Sequence, residues 1–118
     1  MKVWLDDIRM SPFPPRDYRT EYPFDVHAPY DVHVETADAL IKLIDEGKVT
    51  FISFDHDLGQ GKNGYDVAKY IEEGAYAGRI LPIYYKVHSA NPVGADNIRT
   101  AMDSAWRIWS TIIPENKE

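Results

Sequence analysis

The sequence predicts an α/β fold, a three-layer sandwich built on a parallel sheet of about four strands in the order 2-1-3-4. Two observations lead there. Residues 2–5, 30–34, 49–54 and 82–87 are short apolar runs rich in Val, Ile, Phe and Tyr, with no helical spacing. Between the later runs, apolar residues recur three and four apart, the mark of amphipathic helices. Strands that alternate with helices of this length lie parallel and are joined by right-handed crossovers.

The first strand is read at residues 2–5, directly followed by Asp6-Asp7. A crossover helix would be expected next, but five of the eight prolines (Pro12, Pro14, Pro15, Pro23 and Pro29) fall within residues 10–29, and proline at that density cannot propagate a helix. Phe13, Tyr18, Tyr22 and Phe24 sit there among charged residues, which predicts an ordered flap returning over the sheet and a surface open to a protein partner. After the second strand, Ala37, Leu40, Ile41 and Ile44 form a helical stripe with Thr36 placed to cap it and Gly47 to end it. After the third strand, Gly64 precedes a helix carrying Val67, Ala68 and Ile71, with Gly74 and Gly78 interrupting or ending it. After the fourth, Asn91 is the expected N-cap and Pro92 the first helical residue, ahead of a stripe of Ile98, Ala101, Met102, Ala105 and Ile108. Trp4, Trp106 and Trp109 are expected to pack the core and the last helix. The topology is that of a shortened flavodoxin-like domain, and 118 residues suffice for a single core, so residues 1–118 are read as one domain.

Composition narrows the chemistry. With 44% hydrophobic and 27% charged residues the chain is that of a folded globular protein. No run of about eighteen apolar residues occurs and the N-terminus is too acidic for a signal peptide, so no membrane association and a cytoplasmic location are expected. The absence of cysteine excludes disulfides, thiol nucleophiles and thiolate metal sites, which leaves oxygen and imidazole as metal ligands. A net charge of −6 argues against broad binding of nucleic-acid backbones.

In an open parallel sheet the ligand crevice lies beyond the carboxyl ends of the strands. The residues there are Asp6, Asp7 and Arg9 after the first strand, Asp55, His56 and Asp57 after the third, and His88, Ser89 and Asn91 after the fourth. Two unit charges 4 Å apart repel by about 4 kcal/mol at an effective dielectric of about 20, so these carboxylates require a cation or a proton. Oxygen ligands in a shallow crevice favour Mg²⁺ or Mn²⁺, with Asp6, Asp7 and Asp55 as its ligands. His56 and His88 either bias the site toward Mn²⁺ or a harder-held transition metal or serve as acid and base, since an imidazole side chain is the one suited to proton transfer near neutral pH, with Asp57 orienting one of them. Ser89, Asn91 and Arg9, with free N–H groups at the start of the last helix, suit a phosphate, and Lys62 in the Gly59–Gly64 turn is placed to reach the same anion.

The acidic pair after strand one, Asp55 at the end of Phe51-Ile52-Ser53-Phe54, and Ser89 after strand four resemble the response-regulator receiver domain. That resemblance implies metal binding by Asp6 and Asp7, a phospho-acceptor position at Asp55 and a switch hydroxyl at Ser89. No fifth strand follows, so the lysine of the receivers has no counterpart in its usual place. The fuller set, Trp-Leu-Asp-Asp-Ile-Arg, Asp-His-Asp-Leu-Gly and His-Ser-Ala-Asn-Pro, spans residues 4–92 and is similar to a divergent receiver-like family predicted to process cyclic phosphates. In that family the first connection is usually short, which makes residues 10–29 an insertion. The expected function is a metal-dependent phosphoesterase acting on a cyclic phosphate or related ester. The alternatives are a non-catalytic receiver-like module that binds a phosphate ligand or a protein partner, and a true phospho-acceptor.

Overall fold

The computed structural model describes residues 1–7, 30–59 and 61–112. The expected flap at 10–29 and Arg9 lie outside the described residues. Four strands, β1 (Lys2–Leu5), β2 (Val32–Val34), β3 (Phe51–Phe54) and β4 (Tyr84–Val87), pair in parallel in the order β2-β1-β3-β4, as expected. Among the described residues three helices accompany them: α1 (Ala37–Asp45), α2 (Gly64–Tyr76) and α3 (Pro92–Ile112). None of the described helices is long and apolar enough to cross a membrane.

Local chemistry sets the boundaries. β4 begins two residues after the expected start because Pro82 has no N–H to give to the ladder. β2 begins at Val32; Asp31 before it is tied to β1 by its backbone N–H, which donates to Lys2 O at 2.8 Å, and by its carboxylate, which takes the Lys2 N–H at 2.7 Å in place of a backbone carbonyl. Thr36 Oγ1 accepts from Ala39 N–H at 3.1 Å and so caps α1, and Gly47 at φ 75° turns the chain away after it. Gly64 proves to be the first residue of α2, not its predecessor. The cap is Asn63, whose side chain accepts from Asp66 N–H while the Asp66 carboxylate accepts from Asn63 N–H, a reciprocal capping box. Gly74 lies inside α2, where a Cβ would come within 2.2 Å of Ile80 Cδ1, so the glycine lets the following loop pack against the helix. Asn91 caps α3 as expected, its Oδ1 accepting from Gly94 N–H at 2.9 Å.

Alternation along the strands sorts the sheet into two faces. Val3, Leu5, Val34, Ile52 and Phe54 join one buried core with Leu40 and Ile44 of α1, Val67 and Ile71 of α2, and Ile98, Met102 and Trp109 of α3. The crossovers from β2 to β3 and from β3 to β4 both step in the same direction, so right-handedness places α1 and α2 on one side. α3 packs beside α2 in the same layer. Trp109 lies in this core, its Nε1–H donating to Ile80 O at 3.0 Å, and Trp106 Nε1–H donates to Ile83 O at 3.0 Å. The opposite face carries Trp4, Phe51, Ser53 and Lys86 in register, and the expected third layer over it falls outside the described residues. Trp4 therefore leaves the core expected for it and stands half-buried on that face, edge-on to Tyr30 at 5.1 Å.

Candidate functional site

Register builds the site. Leu5 pairs with Phe54, and Phe54 with Val87, so the next residues, Asp6, Asp55 and His88, emerge side by side at the carboxyl edge of three adjacent strands. The ladder continues one step to hold their backbones: Asp6 N–H donates to Val34 O (3.1 Å), Asp55 N–H to Leu5 O (3.0 Å) and His88 N–H to Phe54 O (2.8 Å). Asp6, Asp55 and His88 each offer a donor atom, and those atoms all lie within 4.8 Å of one another.

Asp6 is the anchor. It is only 6% exposed, its backbone carbonyl accepts from His33 Nε2 at 2.6 Å, and its Oδ2 lies 3.0 Å from His88 Nε2. The His88 ring reaches across β3: its Nδ1 lies 2.8 Å from Ser53 Oγ, and its plane stacks on Trp4 with centroids 4.1 Å apart and planes 7° apart. Ionised Asp6 only accepts, so Nε2 carries the proton and Nδ1 accepts from the Ser53 hydroxyl. Burial pushes the His88 imidazole below its ordinary pKa, although Asp6 pulls the other way, which favours this neutral ring. Both nitrogens of His88 are thus engaged within the protein.

Asp55 has its carboxyl pKa raised from 3.8 to about 6, first by burial, then by the charges of Asp6 and Asp7. The like-charge crowding inferred from sequence is present here. Asp7 stands slightly apart from the Asp6, Asp55 and His88 donors, its Oδ2 3.5 Å from where a Cβ on Gly59 would lie; Gly59 has φ 81°. His56 Nδ1 is 2.9 Å from Asp57 Oδ1, so Asp57 orients His56. The His56 ring lies against Gly94 of α3, where a Cβ would come within 2.3 Å of its Cγ. At Gly64 a Cβ would come within 2.1 Å of the Asp55 carbonyl oxygen. Two glycines thus let α2 and α3 close on the Asp55–His56 backbone and ring.

The expected anion-binding residues are arranged differently. Ser89 Oγ accepts from Asn91 N–H at 3.0 Å and Asn91 Oδ1 accepts from Gly94 N–H, while Pro92 has no N–H, so the start of α3 is largely capped by its own side chains. Lys62 is turned elsewhere: its Nζ donates to Asp38 Oδ1 at 2.9 Å and ties the loop after β3 to the first turn of α1. Both groups are exposed, and the loop and helix flank a cavity of about 280 Å³ lined by Thr36, Leu58 and Gly61 among others. Sequence reasoning missed Ser53, Trp4 and His33 as supports of the site. The available signal was a lone polar residue inside an apolar strand, and aromatic residues whose parity sets them on the same face as Asp6.

The donor set fits a divalent cation. Oxygen–cation distances of about 2.1 Å place opposed donors roughly 4.2 Å apart, so donors that lie within 4.8 Å of one another would close by a few tenths of an ångström around an ion. Among known proteins, a family model described as a cyclic-phosphate processing Receiver domain matches residues 1–104 of the chain. No curated protein and no solved structure matches.

Proposed function

We propose, for a chain that belongs to the cyclic-phosphate processing receiver domain family, a metal-dependent phosphoesterase that opens a cyclic phosphate or related ester by hydrolysis. The observation that carries this reading is the convergence of Asp6, Asp55 and His88 within 4.8 Å at the carboxyl edge of the sheet. Asp6 and Asp55 hold the cation, with Asp7 beside them. Bound there, Mg²⁺ or Mn²⁺ supplies Lewis acidity toward a phosphoryl oxygen and toward water.

His56 is the proton carrier. With its Nδ1 proton held by Asp57, its Nε2 lone pair is available to take a proton from the attacking water and return it to the leaving oxygen. The expectation that His88 shares this task meets a ring whose two nitrogens are engaged by Asp6 and Ser53, so the proton transfer falls to His56 alone. The Ser89 hydroxyl proton and the Asn91 side-chain amide hold non-reacting phosphoryl oxygens.

The test is turnover of 2′,3′- and 3′,5′-cyclic nucleotides and sugar 1,2-cyclic phosphates with Mg²⁺ or Mn²⁺. Ring opening that chelation abolishes, and that Asp55→Asn reduces at least 100-fold, supports the reading. Binding without consumption of any of them replaces it with a ligand-binding module.

A further inference from the structure

We propose that His88 is itself a ligand of the cation, through Nε2, and that Ser53 is the positioning residue that permits it, so the site prefers a first-row transition ion such as Zn²⁺ over Mg²⁺. This rests on the cation site above and extends it from an all-oxygen set to a mixed oxygen and imidazole set. His88 Nε2 already belongs to the cluster whose donors lie within 4.8 Å. The ring cannot swing to present another atom, because Trp4 stacks flat on it and Ser53 holds the far nitrogen. What changes is the proton. With the site free of cation, Nε2–H donates to Asp6 and Nδ1 accepts from Ser53. For Nε2 to ligate, its proton leaves to water and Nδ1 takes one up, so the ring stays neutral.

Ser53 is suited to that exchange. Its hydroxyl donates to Nδ1 in one state and accepts from Nδ1–H in the other, at the same 2.8 Å separation and without moving a heavy atom. A ligating histidine commonly gives its second N–H to a fixed acceptor that orients the ring. Ser53 is fully buried in β3, its hydroxyl at the Nδ1 edge of the ring. A hydroxyl at this position in an otherwise apolar run has no packing advantage over alanine or valine, and its hydrogen bond to His88 accounts for it. Imidazole nitrogen favours Zn²⁺, Ni²⁺ and Cu²⁺, whereas Mg²⁺ takes oxygen ligands and keeps its waters.

The test is long-range ¹H–¹⁵N NMR of the His88 ring in the full chain, assigned with His88→Asn, during titration with Zn²⁺ and separately with Mg²⁺. The metal-free ring is expected as the Nε2–H form and the Zn²⁺-bound ring as the Nδ1–H form. Zn²⁺ should bind at least 10-fold tighter than Mg²⁺, and His88→Asn should abolish that preference while retaining Mg²⁺ binding. Ser53→Ala should weaken Zn²⁺ about 10- to 100-fold; if that variant does not fold, the ring tautomer in the native chain decides. Zn²⁺ binding that broadens or shifts Asp6 and Asp55 but leaves the His88 ring unchanged overturns the proposal and leaves the cation site standing. Failure of both ions to bind overturns both.

Discussion

Asp55 holds its proton to about pH 6, where an ordinary aspartate is ionised. Because the folded pKa lies above the unfolded one, the cost of ionising Asp55 is absent below about pH 4, grows as pH rises, and is complete above about pH 6. After discounting for its partial exposure, that cost is of order 1–2 kcal/mol at neutral pH. Metal-free Asp55→Asn is therefore expected to melt above the native chain at pH 7 and to lose the advantage near pH 4, as thermal denaturation at the two pH values will show. Gly94→Ala is expected to displace the His56 ring, at a cost of about 1–3 kcal/mol in stability, and to lower kcat more than it raises KM. The sequence marked Asp6, Asp55, His56 and His88 because each follows a strand. It did not mark Ser53 or Trp4, since a buried serine and a tryptophan next to Val and Leu read as ordinary strand residues until the ring that joins them is in place.

At the scale of elements, caps and register matter most. The Asn63 and Asp66 pair closes the start of α2 immediately after the loop that bears His56, so Asn63→Ala should cost about 1 kcal/mol in chemical denaturation. That cap was read one residue late from the sequence because the adjacent glycine is the stronger local signal for a break. Helix positions were legible from spacing, and strand positions from apolar runs. The starts of β2, β3 and β4 were not: each begins two residues after the expected start, β2 where the Asp31 carboxylate takes the Lys2 N–H and β4 after Pro82, which lacks a donor. Register was hidden as well. A one-residue slip of β4 would carry His88 to the other face and away from Asp6. The packing of Tyr85 and Val87 against the core, opposite Ile52 and Phe54, is what prevents it.

For the molecule as a whole, the core lies on one side of the sheet and the site's supports on the other, with the shared strands between them. Trp109, 1% exposed, closes the core where α3 meets the loop before β4. Trp109→Ala should cost about 3–5 kcal/mol, a large part of the stability of a domain this size, and is expected to unfold the chain at much lower denaturant concentration. Divalent ion present at 100 times its Kd should stabilise the fold by about 2.7 kcal/mol, a gain that chelation reverses and that Asp6→Ala removes, measured as a shift in Tm. The amino-acid order by itself determined the α/β class, the strand order and the edge of the sheet where acidic and imidazole groups gather, because periodicity and right-handed connection leave few other arrangements. Only the tertiary structure decided that Lys62 turns to Asp38 and that His88 is clamped by Trp4, Ser53 and Asp6. Those outcomes depend on which side chains meet across strands and loops far apart in the chain, and local spacing carries no information about such meetings.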